Sequence, residues 1–333
     1  MKKTKKHILI LAFLSAMLLF FSSCGFSNTS DDAPNVRIAY FPNIIHTQAL
    51  VMKNQGTPEQ TWGEKCNVTW TSFNAGPAEI EAMFAGEIDL GYIGPVPAIN
   101  ANIKSGGDVK IISNAADAGA VFLVRKDSGI ASVKDLSGKK IAVPQLGNTQ
   151  HLCLLNLLKE YDLKPVDQGG DVTINASSNA DIVNLMDNGS VDAAVVPEPW
   201  GTTIENNENS AILLDYDELF FGGDYPTALV IANEDFMEKH PDLVREFLEM
   251  HKEATEFIND NPNEVLEIVN AEIKNATGKS LEEDVIAHAF SRIKITDELN
   301  TDAIMRFAKI SKEEGFTSKI PEEDDVFNFE FSQ

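Results

Sequence analysis

A chain of 333 residues is long enough for two lobes and a substantial core. Its formal net charge is −24, and since the first 23 residues hold four lysines and no acid, the remainder carries 23 basic against 51 acidic residues, or −28. So acidic a surface excludes nucleic acid as a partner and excludes charge-driven binding to anionic lipid.

Lys2, Lys3, Lys5 and Lys6 precede an apolar run over 8–21 that ends at Ser22-Ser23-Cys24-Gly25. A basic start, a short apolar stretch and small residues before a cut site are the pattern of a secretory signal peptide. The run is short of the roughly 20 residues that span a bilayer. Residues 1–23 are therefore expected to be removed. Cys24 is expected to carry a lipid, although Phe21 stands where that motif usually has an aliphatic residue. Residues 24–34 would be a polar tether holding the protein at the outer face of the bacterial cytoplasmic membrane. Cys66 and Cys153 read as buried small apolar residues.

From residue 36 strands alternate with helices. A short apolar run over 36–41 is halted by Pro42-Asn43, and helical spacing follows over 46–53. A strand over 68–73 ends at Asn74-Ala75-Gly76-Pro77 before a helix over 78–85. Another over 89–93 stops at Gly94-Pro95, ahead of a helix over 98–104 and a strand over 110–113. A second unit of the same plan begins near Gly119, with strands over 121–125 and 140–143 flanking a short capped helix over 132–136. Pro144-Gln145-Leu146-Gly147-Asn148-Thr149 then leads into a helix over 150–161, with Leu152, Leu155, Leu158 and Tyr161 as its buried stripe. A strand over 172–174, a helix over 181–186 and a strand over 193–196 follow, the last ending in Pro197-Glu198-Pro199-Trp200 before another helix. After Gly222-Gly223 comes a strand over 227–232, and from Asp235 the chain is mostly helical. Pro241, Pro262 and Pro321 stand near helix starts, where a missing N–H is tolerated. The alternation predicts an α/β fold with largely parallel sheets covered on both faces.

Open α/β sheets bind ligands beyond the carboxyl ends of their strands. Here those ends are built from glycine, proline, amides and hydroxyls, and four lead directly into a helix whose first N–H groups lack partners. Among the side chains, His46 could hydrogen-bond a polar ligand group, and Asn148 or Thr149 would cap a helix as well as reach a ligand. Glu198 between two prolines could anchor an amine, with Trp200 beside it as a stacking wall; the alternative for Glu198 is a salt bridge that holds the second lobe. Catalysis finds little support. His151 and Cys153 are two apart on a helix and point away from each other, and no phosphate-binding, nucleophile-elbow or zinc-protease pattern occurs. The histidines are scattered, so no metal or other cofactor is expected.

The segments RIAYFPNIIHTQAL, FNAGPAEIEAMFAGEIDLGYIGPVPAINA, VPQLGNTQ and VVPEPW resemble the nitrate/sulfonate/taurine-type solute-binding proteins of ABC importers, as does HPDLVREFLEMHKEATEFINDNPNEV. The likeness runs from about Val36 to Thr296. It implies a type II periplasmic-binding-protein fold: two α/β lobes, two crossover strands and a helical C-terminal extension. Lobe 1 would be 35–118 with 224–333, and lobe 2 would be 119–223. Carried over, the cleft would be lined by Asn43, His46, Asn74, Gly76, Gly94 and Pro95 from lobe 1. Gln145, Asn148, Thr149, Gln150, Glu198 and Trp200 would come from lobe 2, with Tyr225 and Thr227 at the return crossover. The partners implied are a small-molecule ligand, an ABC permease and its ATPase, and the membrane through the N-terminal lipid; the protein itself would be a monomer. No Lys or Arg lies in these loops, and Glu198 would repel a bare anion. The expected ligand is thus a zwitterionic sulfonate of the taurine type or a polar ring compound before nitrate or bicarbonate. The rivals are a thiamine-pyrimidine synthase on the same scaffold and a sensory input domain.

Overall fold

The computed structural model describes residues 33–331. The expected signal peptide over 1–23, Cys24 and the tether up to residue 32 lie outside the described residues.

The first unit runs β1 (Asn35–Tyr40), α1 (Thr47–Gln55), α2 (Thr57–Trp62), β2 (Asn67–Ser72), α3 (Gly76–Phe84), β3 (Leu90–Ile93), α4 (Pro95–Ser105) and β4 (Val109–Ala118). The second runs β5 (Ala120–Arg125), β6 (Lys140–Val143), α5 (Thr149–Glu160), β7 (Thr173–Ala176), α6 (Asn179–Asp187), β8 (Ala193–Pro197), α7 (Trp200–Glu205), β9 (Ser210–Leu214) and α8 (Tyr216–Leu219). The chain then returns through β10 (Pro226–Asn233), α9 (Glu234–Lys239), α10 (Pro241–Asp260), α11 (Pro262–Thr277), α12 (Glu283–Phe290), β11 (Ile293–Ile295), α13 (Thr301–Glu313) and α14 (Glu323–Val326).

Two sheets result, in the orders β11-β4-β10-β3-β1-β2 and β7-β6-β8-β5-β9. β1 is parallel to β2 and β3, and β6 is parallel to β7 and β8. The sheets are mixed, however, and not largely parallel as the alternation predicts. β10 inserts between β3 and β4, antiparallel to both, and β5 is antiparallel to β8 and β9. The partners of β10 lie more than a hundred residues away in sequence, as in Asp117↔Pro226, so no local pattern announces the pairing.

β1 is buried on both faces. Val36, Ile38 and Tyr40 pack with Leu50, Phe247 and Val269 of α1, α10 and α11, whereas Ala39 faces Ile80 of α3 and Ile99 of α4. That second cluster continues into the other sheet through Tyr225, Phe220 and Phe307 to Phe122, Leu152 and Val195. In α10, Val244, Phe247, Met250, His251, Ala254 and Ile258 are buried at helical spacing, which fixes the helix against the sheet. Leu152, Leu155 and Leu158 form the expected stripe of α5, but Tyr161 is the C-cap and is 41% exposed. Cys66 and Cys153 are both buried and unpaired. Among the described residues no helix is long and apolar enough to cross a membrane.

Candidate functional site

The carboxyl ends of β1, β2, β3, β6 and β8 meet at the junction of the two sheets. They enclose a cavity of about 30 Å³ lined by residues of both. From the first sheet's side come Phe41, Asn43, Ile45, Asn74, Ala75, Gly76, Gly94 and Thr227; from the second's come Pro144, Asn148, Thr149, Gln150, Asn179 and Pro197. No charged side chain is among them. Four helices begin within a residue or two of this wall: α3 at Gly76, α4 at Pro95, α5 at Thr149 and α6 at Asn179. Their first turns present N–H groups without intrahelical partners and the positive ends of four helix dipoles. Anions bind at such termini without a cationic side chain.

Several lining groups lack protein partners. Asn43 Oδ1, Thr149 Oγ1 and Asn179 Oδ1 are buried and make no hydrogen bond among the described residues. A buried polar atom left unpaired costs about 1–3 kcal/mol, and three around one cavity complement a polar guest. Other amides are spent on the framework. Asn148 Oδ1 accepts from His151 N at 2.8 Å as the cap of α5, and its Nδ2 donates to Gln150 Oε1 at 3.0 Å. Asn74 Oδ1 accepts from Asn179 N at 3.4 Å, a contact between the two sides of the cavity. Gly94 is a second such contact. A Cβ on it would lie 2.4 Å from Thr149 Oγ1, so only glycine permits this approach.

The expected residues divide accordingly. Asn43, Asn74, Gly76, Gly94, Asn148, Thr149, Gln150 and Thr227 line the cavity, but the Thr227 hydroxyl donates to Ala118 O at 2.6 Å and braces the crossover. Pro95 is buried in the first turn of α4, and Gln145 is half-buried; neither lines the cavity. His46 is fully buried behind Phe41, whose N–H it accepts through Nδ1 at 3.2 Å and whose ring it stacks on at 4.4 Å. Burial pushes its imidazole down to about 3, so it supports a wall and carries no charge. Tyr225 is packed among Phe220 and Phe307, with its hydroxyl directed at Tyr216 O at 3.4 Å.

Glu198 and Trp200 require the largest correction. The Glu198 carboxylate is fully buried and accepts from Thr202 N at 2.9 Å, Thr202 Oγ1 at 3.0 Å and Arg292 Nη1 at 3.0 Å. Burial raises its carboxyl, and Thr202 and Arg292 oppose that rise. The salt-bridge alternative is what the structure contains. Trp200 packs with Val121, Ile182 and Ile204 in the core of the second sheet. Apart from apolar Ile45, Asn179 is the lining residue that the strand-end reading passes over. Its helix begins two residues earlier than expected, where Ser178 accepts from Asp181 N at 3.2 Å; a Ser with Asp three places later is a legible helix-start signal.

Comparisons with known proteins agree with this architecture. A taurine-binding periplasmic protein of Escherichia coli (strain K12) is 27% identical over 69% of this chain and 68% of its own length. A protein of Bacillus subtilis (strain 168), named for binding aliphatic sulfonates, is 26% identical over 95% of this chain and 91% of its own. A 4-amino-5-hydroxymethyl-2-methylpyrimidine phosphate synthase of Saccharomyces cerevisiae is 28% identical over 56% of both chains. In structure, the alkanesulfonate-binding protein from Xanthomonas axonopodis pv. citri bound to MOPS superposes with a TM-score of 0.72, covering 89% of this chain and 99% of that one at 20% identity. The fold is thus that of the periplasmic binding proteins, as the sequence resemblance implies. The NMT1-like family model matches residues 30–271, and the chain belongs to that family.

Proposed function

We propose that this chain is the solute-binding component of a bacterial ABC importer, and that it captures a small zwitterionic sulfonate of the taurine type between two closing lobes. The observation that carries the reading is the cavity at the sheet junction, where four helix starts converge on uncharged walls holding three unpartnered polar oxygens. The helix N-termini suit a sulfonate group. The unpaired amide oxygens of Asn43 and Asn179 are acceptors, which an ammonium group satisfies and nitrate does not. The preference for a zwitterion thus rests on these amides, because Glu198 is committed to Arg292.

The lobes would be 35–118 with 224–333, and 119–223. Support comes from β4 and β10 belonging to one sheet and β5 and β9 to the other, with crossovers near Gly119 and Asp224. Ala118 and Gly119 are both in the left-handed region (φ 62° and 77°), a local reversal suited to a hinge. A cavity of about 30 Å³ has room for little more than water, so a sulfonate would need the lobes to part and then close on it. The name of the Escherichia coli relative, a periplasmic protein, supports a position outside the cytoplasmic membrane, where lipid on Cys24 would retain a monomeric protein that delivers its ligand to a membrane permease and its ATPase.

A thermal-shift panel of taurine, alkanesulfonates, nitrate, bicarbonate and thiamine-pyrimidine precursors tests this reading, because a ligand bound only by the folded state raises the midpoint. Taurine is expected to give the largest rise. A larger rise with nitrate overturns the ligand class, and a rise with the pyrimidine precursors alone favours the synthase.

A further inference from the structure

Arg292 lies between α12 and β11, and β11 is built into the first sheet by pairing with β4 (Ile293↔Ala118, Ile295↔Ala116). Its side chain, only 4% exposed, leaves that sheet and enters the body of the other. Nη1 donates to Glu198 Oε1 and Thr202 Oγ1, both at 3.0 Å. Nη2 is 2.8 Å from Glu205 Oε2, and Nε is 2.9 Å from Asp215 Oδ1. The three carboxylates stand at the end of β8, the end of α7 and the cap of α8, all elements around the second sheet. One guanidinium therefore holds three carboxylates that would otherwise repel one another, Glu198 fully buried and Glu205 and Asp215 about a third exposed. The link is also pinned to the crossover, since Gly119 has no Cβ where Ile293 Cγ2 would be 2.3 Å away.

Further along, α13 packs against both α4 and α5, the helices that begin on opposite walls of the cavity. Phe307 stacks on Phe220 at 5.0 Å, and Phe316 lies 5.2 Å from the His151 ring. Lys159 Nζ on α5 is 2.9 Å from Glu314 Oε1 and 3.4 Å from Glu313 Oε2. Two covalent crossovers already join the sheets, so these contacts are additional to connectivity. Any rotation that separates Gly94 from Thr149 must turn the carboxylates about Arg292 or slide α5 along α13.

We propose that residues 291–316 form a strap restraining separation of the lobes, with Arg292 as its buried pivot and the Lys159–Glu314 contact as its releasable end. The strap rests on the two-lobe reading above, but its test needs no ligand, so failure of taurine binding leaves it intact. Spin labels on Phe84→Cys and Leu146→Cys, both exposed and on opposite lobes, report the interlobe distance by pulsed electron resonance while Cys66 and Cys153 stay buried. In ligand-free protein, Arg292→Lys keeps the charge but loses the fork, and is expected to lengthen and broaden the distance distribution. Lys159→Ser, at a half-exposed site that leaves the core untouched, is expected to do the same to a smaller degree. A shift in either variant supports the strap. It is overturned if Lys159→Ser leaves the distribution unchanged while Arg292→Lys either leaves it unchanged or does not fold.

Discussion

Two imidazoles, His46 and His251, are fully buried and that of His151 is half-buried, where an imidazolium would lose hydration. Burial pushes His46 down to about 3, and His151 and His251 down to about 4. His251 is the most tightly held: Nδ1 pairs with Tyr92 Oη and Nε2 with Asn114 O, each at 2.8 Å. The unfolded chain protonates these rings near pH 6.5 and the folded protein does so only well below that. Their contribution is therefore complete above pH 6.5 and is lost as pH falls towards 4. For one such ring the loss amounts to about 3 kcal/mol across the whole window. Buried Glu79, whose carboxyl burial raises, acts in the opposite sense and loses its contribution as pH rises. Comparing variants isolates the histidine. His251→Gln is expected to be less stable at pH 7.5 but to lose less between pH 7.5 and 5 than the wild type, measured by urea unfolding. Equal losses would show that His251 is not a source of acid sensitivity. At this scale the sequence is informative about which polar residues are special and not about where they point. His46 and Glu198 are both singled out near strand ends, yet one turns behind Phe41 and the other towards Arg292, which lies 94 residues away.

The helix starts are the elements that form the site, and their chemistry is local. Asn148 caps α5 through His151 N, and Gly76-Pro77 and Pro95 open α3 and α4. This is why the cavity loops were readable from glycine, proline and amide clusters. Asn148→Asp keeps an oxygen for the cap but places a negative charge on the cavity wall. It is expected to lower the ligand-free melting midpoint, since the donation to Gln150 Oε1 is lost and a charge is buried, and to weaken taurine binding at least about tenfold. Asn148→Ala is expected to cost about 1 kcal/mol of stability as well. If Asn148→Asp binds taurine as the wild type does, the cap does not face the sulfonate. The elements that the sequence leaves out are short or paired at long range. α2, β9 and β11 run only 6, 5 and 3 residues. β4 continues beyond the expected stretch over 110–113, through Asn114-Ala115-Ala116-Asp117, residues with little strand character of their own. It is held there by β10 and β11 from the distant return segment.

In the whole molecule the two sheets share one continuous apolar cluster, and the polar cavity sits where their strand ends face each other. Under the proposed lobe closure, two closely approaching pairs would mark the closed geometry: Gly94 against Thr149, and Asn74 against Asn179. Gly94 has φ −71° and ψ 156°, a conformation alanine adopts freely, so Gly94→Ala strains only the approach of the opposite wall. A substitution that blocks closure reduces affinity by the fraction of closed-competent molecules that it removes. The most direct measurement is a calorimetric titration of taurine into the wild type and into Gly94→Ala. The account predicts one site per chain in the wild type and binding at least about tenfold weaker in Gly94→Ala. Equal affinity in the two proteins, or no binding heat in the wild type, would contradict capture of a taurine-like solute by lobe closure.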